Sequence, residues 1–121
     1  MPKVMIVDDD RTMVSLLKTL LQLDGYQVAQ AGSAQSFLDR IESEAPDVVL
    51  MDVFLDDREG YDLVRSLRQN QQASIADVPV IMTSGMELST QCMQAGADAF
   101  LLKPYDPEQL LKVIHDHLEG R

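Results

Sequence analysis

Acidic side chains follow two apolar segments of this chain. Asp8, Asp9 and Asp10 come directly after the first apolar segment, and Asp52 ends the apolar run within the stretch Asp47–Val53. Short apolar runs bounded by turn residues are typical of strands that are buried on both faces of a parallel sheet. Ligands of such sheets bind at the carboxyl ends of the strands. Asp52 is therefore placed for chemistry, and capping of a following helix is its alternative role.

The two acidic groups indicate a cation site if they meet in space. The second group contains Asp52, Asp56, Asp57 and Glu59. Two carboxylates about 5 Å apart repel each other by roughly 3 kcal/mol at an effective dielectric constant of 20. A bound cation would offset this repulsion.

The apolar pattern predicts five strands that alternate with five helices. Gly25 and Gly96 indicate helix ends, Ser33 and Asp106 indicate helix starts, and Pro107 suits a first helical position. The predicted strands cover residues 3–7, 26–31, 47–52, 78–82 and 99–102.

This alternation predicts an α/β fold: a doubly wound (βα)5 three-layer sandwich of the flavodoxin-like kind. For a chain of this size, the five-stranded parallel sheet is expected in the order 2-1-3-4-5. That order places Asp8, Asp9 and Asp52 beside one another.

Length and composition predict one domain over residues 1–121. The net charge of −10 opposes direct binding to nucleic acid or to an anionic membrane surface. No apolar run approaches the ~20 residues that cross a bilayer, and the single Cys92 excludes an internal disulfide. No pattern typical of a signal peptide precedes the first strand, so a cytoplasmic location is expected.

The residues that end the predicted strands match a known pattern. In this order and spacing, the chain resembles the receiver domain of bacterial two-component response regulators, including the chemotaxis regulators that share this strand order. The likeness runs from Lys3 to about Leu118. It rests on Asp8, Asp9, Asp52, Gly60, Thr83, Lys103 and Pro104.

The resemblance implies that Asp52 is a phosphoacceptor, attacking phosphorus as a nucleophile. Thr83 would offer a hydroxyl to one phosphoryl oxygen, and Lys103 an ammonium group to another. The domain would assist its own phosphorylation and dephosphorylation without turning over a free substrate, so it is not expected to be an enzyme. The implied ligands of a Mg²⁺ cofactor are Asp8 through water, Asp9, Asp52 and the backbone carbonyl of Phe54.

The resemblance also implies partners. The phosphoryl donor would be a sensor histidine kinase or a phosphotransfer protein. The output would be a downstream protein or domain that contacts the face of the fourth helix, fifth strand and fifth helix, and a homodimer is compatible with this scheme. We expect Met86, Phe100 and Tyr105 near that face.

The chain departs from the family pattern in three places. Asp56 stands where the loop usually carries Pro, and Glu59 where it often carries Asp. Phe100 lacks the hydroxyl of the aromatic residue that the fifth strand often presents. Phe54 and Gly85 have no side chain that could orient an attacking water, so a long-lived phosphoryl group is expected.

Other interpretations remain open at this point. A receiver-like module could bind partners without phosphorylation. The segment from Asp8 to Thr12 also fits the D-x-D-x-T pattern of haloacid-dehalogenase-like phosphatases, with Asp8 as nucleophile and Asp10 as acid/base. Taken singly, Asp8, Asp9 or Thr83 could cap a helix, and Lys103 could be a surface lysine.

Overall fold

Five parallel strands in the order β2-β1-β3-β4-β5 form the centre of a computed structural model that describes residues 1–119. This confirms the predicted fold and strand order; the last two residues of the predicted 1–121 domain lie outside the described residues. The strands are β1 (Lys3–Val7), β2 (Gln27–Ala31), β3 (Val48–Asp52), β4 (Val80–Ser84) and β5 (Ala99–Leu102). The helices are α1 (Arg11–Leu23), α2 (Ala34–Glu44), α3 (Gly60–Arg68), α4 (Ala73–Ala76), α5 (Ser89–Ala95) and α6 (Pro107–Glu119).

Two apolar layers cover the sheet. The apolar side chains of α1 and α6 pack on one face, and those of α2, α3, α4 and α5 pack on the other. The central strands are almost fully buried because helices cover both faces, whereas β2 exposes polar side chains at the sheet edge. Because all five strands are parallel, their carboxyl ends lie along the same side of the sheet, which is called the carboxyl edge.

Strand β4 begins and ends two residues later than the sequence predicted. We expected residues 78–82, with Thr83 beyond the strand, but Thr83 and Ser84 pair with Leu101 and Leu102 of β5. This pairing satisfies their backbone groups and extends β4. Thr83 is consequently fixed inside the sheet.

The helix starts follow from local hydrogen bonds. The carboxylate of Asp10 accepts a hydrogen bond from Met13 N at 3.1 Å and caps α1, while Asp106 caps α6 through Gln109 N at 2.9 Å. The alternative that Asp8 or Asp9 caps α1 is wrong. The predicted stop at Gly96 is confirmed by its left-handed backbone, with φ of 114°.

The one-turn helix α4 was not predicted. It fills the connection between α3 and β4, where the polar sequence gives no helical period, and buries Ile75. The fourth and fifth predicted helices are therefore α5 and α6.

Candidate functional site

Three carboxylates converge at the carboxyl edge of the sheet. Asp8 follows β1, Asp9 is its neighbour, and Asp52 ends β3, which lies beside β1. Each contributes one carboxylate oxygen to a group in which all three oxygens lie within 4.8 Å of one another. Asp8 is buried, and the other two are partly buried. The structure therefore brings together the three side chains that the strand order predicted as neighbours.

Lys103 supplies positive charge to this acidic group. Its backbone N–H donates to Ser84 O at 2.8 Å, which continues the β4–β5 pairing and places the lysine at the same edge. Its Nζ lies 3.4 Å from Asp52 Oδ2 and 3.6 Å from Asp8 Oδ2. Lys103 is therefore not an unpaired surface lysine.

Thr83 lies next to Asp52 across the β3–β4 pair. The two residues are in register, and Val53 N donates to Thr83 O at 2.9 Å. Thr83 is buried and α5 begins only at Ser89, so Thr83 does not cap this helix. Its position at the end of a central strand is set by the sheet.

The loop after Asp52 forms a tight hairpin turn. Leu55 N donates to Arg58 O at 3.2 Å, and Gly60 N donates to Val53 O at 2.6 Å. Asp56 and Asp57 stand at the tip of this turn, so the loop forms a defined turn with Asp56 in place of the usual Pro.

Both residues at the tip make long-range hydrogen bonds. Asp56 N donates to Asp9 Oδ2 at 2.8 Å. The Asp57 carboxylate accepts from Ala34 N at 2.9 Å and from Gln35 N at 3.2 Å, and the hydrogen bond from Ala34 is the main reason why the pKa of Asp57 is lowered. The sequence had grouped Asp57 with the acidic cluster and gave no sign of this contact.

Gly60 lies against the backbone of Asp52. A Cβ at this position would be 2.7 Å from Asp52 O and 2.8 Å from Met82 Cε. Because Asp52 O is a backbone atom, we expect Gly60→Ala to lower the free energy of unfolding by about 1–3 kcal/mol, measured by chemical denaturation. Gly85→Ala is the matched control, since a Cβ there meets nothing within 4 Å. Equal effects of the two substitutions would contradict this packing argument.

Burial raises the pKa of Asp52 above its ordinary value of 3.8; Lys103 opposes the shift and Asp8 adds to it. Ionised Asp52 therefore destabilises the folded, metal-free protein. The loss of folding stability is greatest at pH values above the raised pKa of the folded state. It decreases as the pH falls toward 3.8, and below that value the carboxyl is neutral in both the folded and the unfolded state.

Asp52→Asn is consequently expected to raise the melting temperature of the protein in chelator at neutral pH. The gain should disappear near about pH 3, where the wild-type carboxyl is already protonated. Thermal unfolding of both proteins at the two pH values measures this difference. A variant that melts no higher than the wild type at neutral pH would contradict it.

The donor set fits Mg²⁺. This ion prefers oxygen ligands at about 2.0–2.1 Å in octahedral geometry, so two ligands on opposite sides stand about 4.2 Å apart. The observed oxygens lie within 4.8 Å of one another, a spacing that suits direct binding by Asp9 and Asp52 and binding through water by Asp8. Phe54 lies in the turn directly after Asp52, and its N–H is 3.4 Å from Asp52 Oδ1. Its backbone is therefore beside the acidic group, where a carbonyl ligand was predicted.

The three residues expected near the output face lie in different environments. Met86 is 60% exposed, and Phe100 packs on the layer that contains α5. Tyr105 instead packs on the α1 and α6 layer and lines a groove with Leu16 and Lys103. Burial, with the charges of Asp8 and Asp52, raises the pKa of Tyr105 to about 12. Tyr105 thus faces α1 rather than α5.

Within residues 1–119, no helix has the length and apolar character needed to span a bilayer.

Comparisons with known proteins identify relatives over nearly the whole chain. The family model described as the response regulator receiver domain matches residues 4–115. The chain is 37% identical over 117 residues to the transcriptional regulatory protein CpxR of Escherichia coli (strain K12), covering 94% of this chain and 48% of CpxR. It is 33% identical over 121 residues to protein PilH of Pseudomonas aeruginosa, covering 99% of this chain and 100% of PilH. The chain thus spans about half the length of CpxR.

Solved structures show the same similarity. A CheY-like response regulator receiver domain protein from Methanospirillum hungatei JF-1 superposes with a TM-score of 0.89 at 32% identity, covering 99% of this chain and 95% of the other. The chemotaxis response regulator CheY4 of Vibrio cholerae superposes with a TM-score of 0.86 at 30% identity, covering 98% and 99%.

Proposed function

Because this chain belongs to the response regulator receiver domain family, we propose that Asp52 accepts a phosphoryl group from a phosphohistidine. The donor is a sensor histidine kinase or a phosphotransfer protein. One observation carries this proposal: the Asp52 carboxylate, partly buried at the end of β3, shares an acidic group with Asp8 and Asp9 and faces the Lys103 ammonium group.

The transfer exchanges one bond to phosphorus for another. An oxygen of the Asp52 carboxylate attacks phosphorus, and a P–O bond of an acyl phosphate forms. The P–N bond breaks, its electron pair returns to the imidazole nitrogen, and the donor histidine is released. Negative charge on the equatorial oxygens must be stabilised during this exchange.

Thr83 and Lys103 are the groups that stabilise this charge. The Lys103 ammonium group is a compact cation 3.4 Å from the acceptor carboxylate, and can remain beside the phosphoryl group after transfer. Thr83 is held next to Asp52 in the sheet, so its hydroxyl can donate to a phosphoryl oxygen. Mg²⁺, bound by Asp9, Asp52, the Phe54 carbonyl and, through water, Asp8, would neutralise further charge there.

The modified domain acts on a partner through its surface. Phosphorylation replaces the single negative charge of the Asp52 carboxylate with a phosphoryl group that carries about −1.5 to −2 charges, next to β4 and β5. We propose that Thr83 and Lys103 move toward this charge and that the face formed by α5, β5 and α6 repacks to bind an output domain or protein. The domain assists its own phosphorylation and dephosphorylation and turns over no free substrate. A cytoplasmic location stays a prediction.

The phosphatase alternative loses its acid/base residue in this structure. Asp10 Oδ1 accepts the capping hydrogen bond from Met13 N, and Asp10 is not part of the acidic group. No observation of this kind argues against an interaction module that is never phosphorylated. A phosphorylation experiment decides between that module and the phosphoacceptor.

That experiment incubates the wild-type chain with acetyl phosphate and Mg²⁺ and measures its intact mass. We expect the addition of one phosphoryl group, its loss on treatment with hydroxylamine, which cleaves acyl phosphates, and no addition when a chelator replaces Mg²⁺. Borohydride reduction followed by peptide mass spectrometry should locate the group at residue 52. A chain that stays unmodified under these conditions would contradict the phosphoacceptor proposal and support the interaction module that is never phosphorylated.

The phosphorylated protein is expected to keep its label for minutes or longer. Phe54 and Gly85 stand two positions beyond Asp52 and Thr83, and neither carries a polar side chain that could orient a water toward phosphorus. Decay after removal of the donor measures this lifetime, and Phe54→Asn, which adds a polar group at a 47% exposed position, should shorten it. Loss of the wild-type label within seconds would contradict the prediction.

A further inference from the structure

The tip of the hairpin after Asp52 is attached to two other elements of the fold. Asp56 contacts the Asp9 carboxylate through its backbone N–H at 2.8 Å. The side chain of the next residue, Asp57, accepts hydrogen bonds from the first two N–H groups of α2, those of Ala34 and Gln35. The turn therefore spans the distance between a predicted metal ligand and a helix 23 residues earlier in the chain.

The start of α2 depends on this contact. The first N–H groups of a helix have no partner within the helix. Ser33 Oγ accepts from the third, Ser36 N, at 3.1 Å, while the first two are satisfied by Asp57. A carboxylate is also favourable at this end because of the helix dipole. The contact thus stabilises the start of α2, and it also fixes the position of the turn that carries Asp57.

We infer that Asp57 is a positioning residue for the Mg²⁺ ligands, because it ties the turn to α2 and so holds the Asp56 N–H on the Asp9 carboxylate. The inference rests on the proposed function, in which Asp9 binds the metal. The same turn carries Phe54, whose carbonyl is a further proposed ligand. Hydrogen-bonding partners that orient metal ligands typically contribute 10- to 100-fold to metal affinity.

A different explanation is that Asp57 attracts the cation by its charge alone. Two substitutions separate these possibilities. Asp57→Asn removes the charge and keeps one oxygen, which can still accept from Ala34 N, whereas its amide NH2 stands where the second oxygen accepted from Gln35 N. Asp57→Glu keeps the charge, but its longer side chain cannot place both oxygens on the two N–H groups without moving the turn. If Asp57 acts by positioning the turn, Asp57→Glu should lose more Mg²⁺ affinity than Asp57→Asn. If Asp57 acts by its charge, Asp57→Asn should lose more.

The first readout uses protein without metal. In Asp57→Ala, the amide hydrogens of Ala34 and Gln35 should exchange on the order of tenfold faster, as measured by NMR, because they lose a hydrogen bond to a charged acceptor. Asp39→Asn is the matched control: it removes an exposed acid of the same helix whose side-chain partner is Gln35 Nε2. Unchanged exchange in Asp57→Ala would overturn the inference.

The second readout is the dissociation constant of Mg²⁺, measured by NMR titration. We expect about tenfold weaker binding for Asp57→Ala and Asp57→Glu, a smaller loss for Asp57→Asn, which keeps one of the two hydrogen bonds, and a value close to wild type for Asp39→Asn. Wild-type affinity in Asp57→Ala, or loss in the Asn variant with retention in the Glu variant, would overturn the inference and leave the proposed function intact. Absence of Mg²⁺ binding by the wild type would overturn both.

Discussion

Asp52→Asn is expected to reduce phosphoryl incorporation from acetyl phosphate to background. The amide is uncharged and is not a nucleophile toward phosphorus, and no neighbouring group can replace it without changing the geometry of transfer. Asp8 is buried against Lys103, and the Asp9 carboxylate is held by Asp56 N. The measurement is the phosphorylated fraction, determined by intact mass spectrometry at a fixed donor concentration with Mg²⁺.

Asp10→Asn is the matched control for this loss. It makes the same chemical change at the residue next to Asp9 but outside the acidic group, and Asn caps a helix as well as Asp does, so α1 should keep its start. The control is expected to incorporate phosphate as the wild type does. Incorporation that survives Asp52→Asn and disappears in Asp10→Asn would favour the phosphatase alternative instead.

The framework of the site could be predicted because local patterns determine it. The apolar runs of β1 and β3 are buried on both faces, and each ends in a carboxylate at a parallel-sheet edge. Once the strand order was chosen, Asp8, Asp9 and Asp52 had to be neighbours. Lys103 follows β5, whose bounds were predicted correctly, and pairs with Asp8 and Asp52.

Contacts between distant irregular segments could not be predicted. The hydrogen bonds from Ala34 and Gln35 to Asp57 join a helix start to a turn, and no period or spacing in the sequence relates them. The end of β4 was misplaced for a similar reason, since pairing with β5 rather than local propensity decides that Thr83 belongs to the strand. Tertiary pairing overrides such local signals.

Arg68 is the clearest side chain that the sequence did not single out. It ends α3, and its guanidinium group donates to three backbone carbonyls, those of Ala76 at 2.9 Å, Val78 at 2.7 Å and Gly96 at 2.9 Å. It also donates to Asp98 Oδ2 at 2.8 Å, an oxygen that accepts from Val80 N as well. One planar group with five donors thus joins α3, α4 and the segments that lead into β4 and β5.

Arg68→Met is therefore expected to lower the free energy of unfolding by about 3 kcal/mol, because it leaves three carbonyls and a carboxylate without this partner. For a domain of this size, the melting temperature should fall by roughly 10 °C. Thermal and denaturant unfolding measure both quantities. Arg65→Met is the control: its ion pair with Asp62 at 3.4 Å is exposed, so the loss should stay below about 0.5 kcal/mol.

The Arg68 contacts lie at the opposite end of the strands from the acidic site. They hold the starts of β4 and β5, whose other ends carry Thr83 and Lys103. If the strands behave as rigid elements, Arg68→Met should reduce stability while leaving the folded fraction able to incorporate phosphate at Asp52. A variant as stable as Arg65→Met would show that solvent replaces the lost hydrogen bonds, and the four contacts would then have no measurable role in holding the sheet.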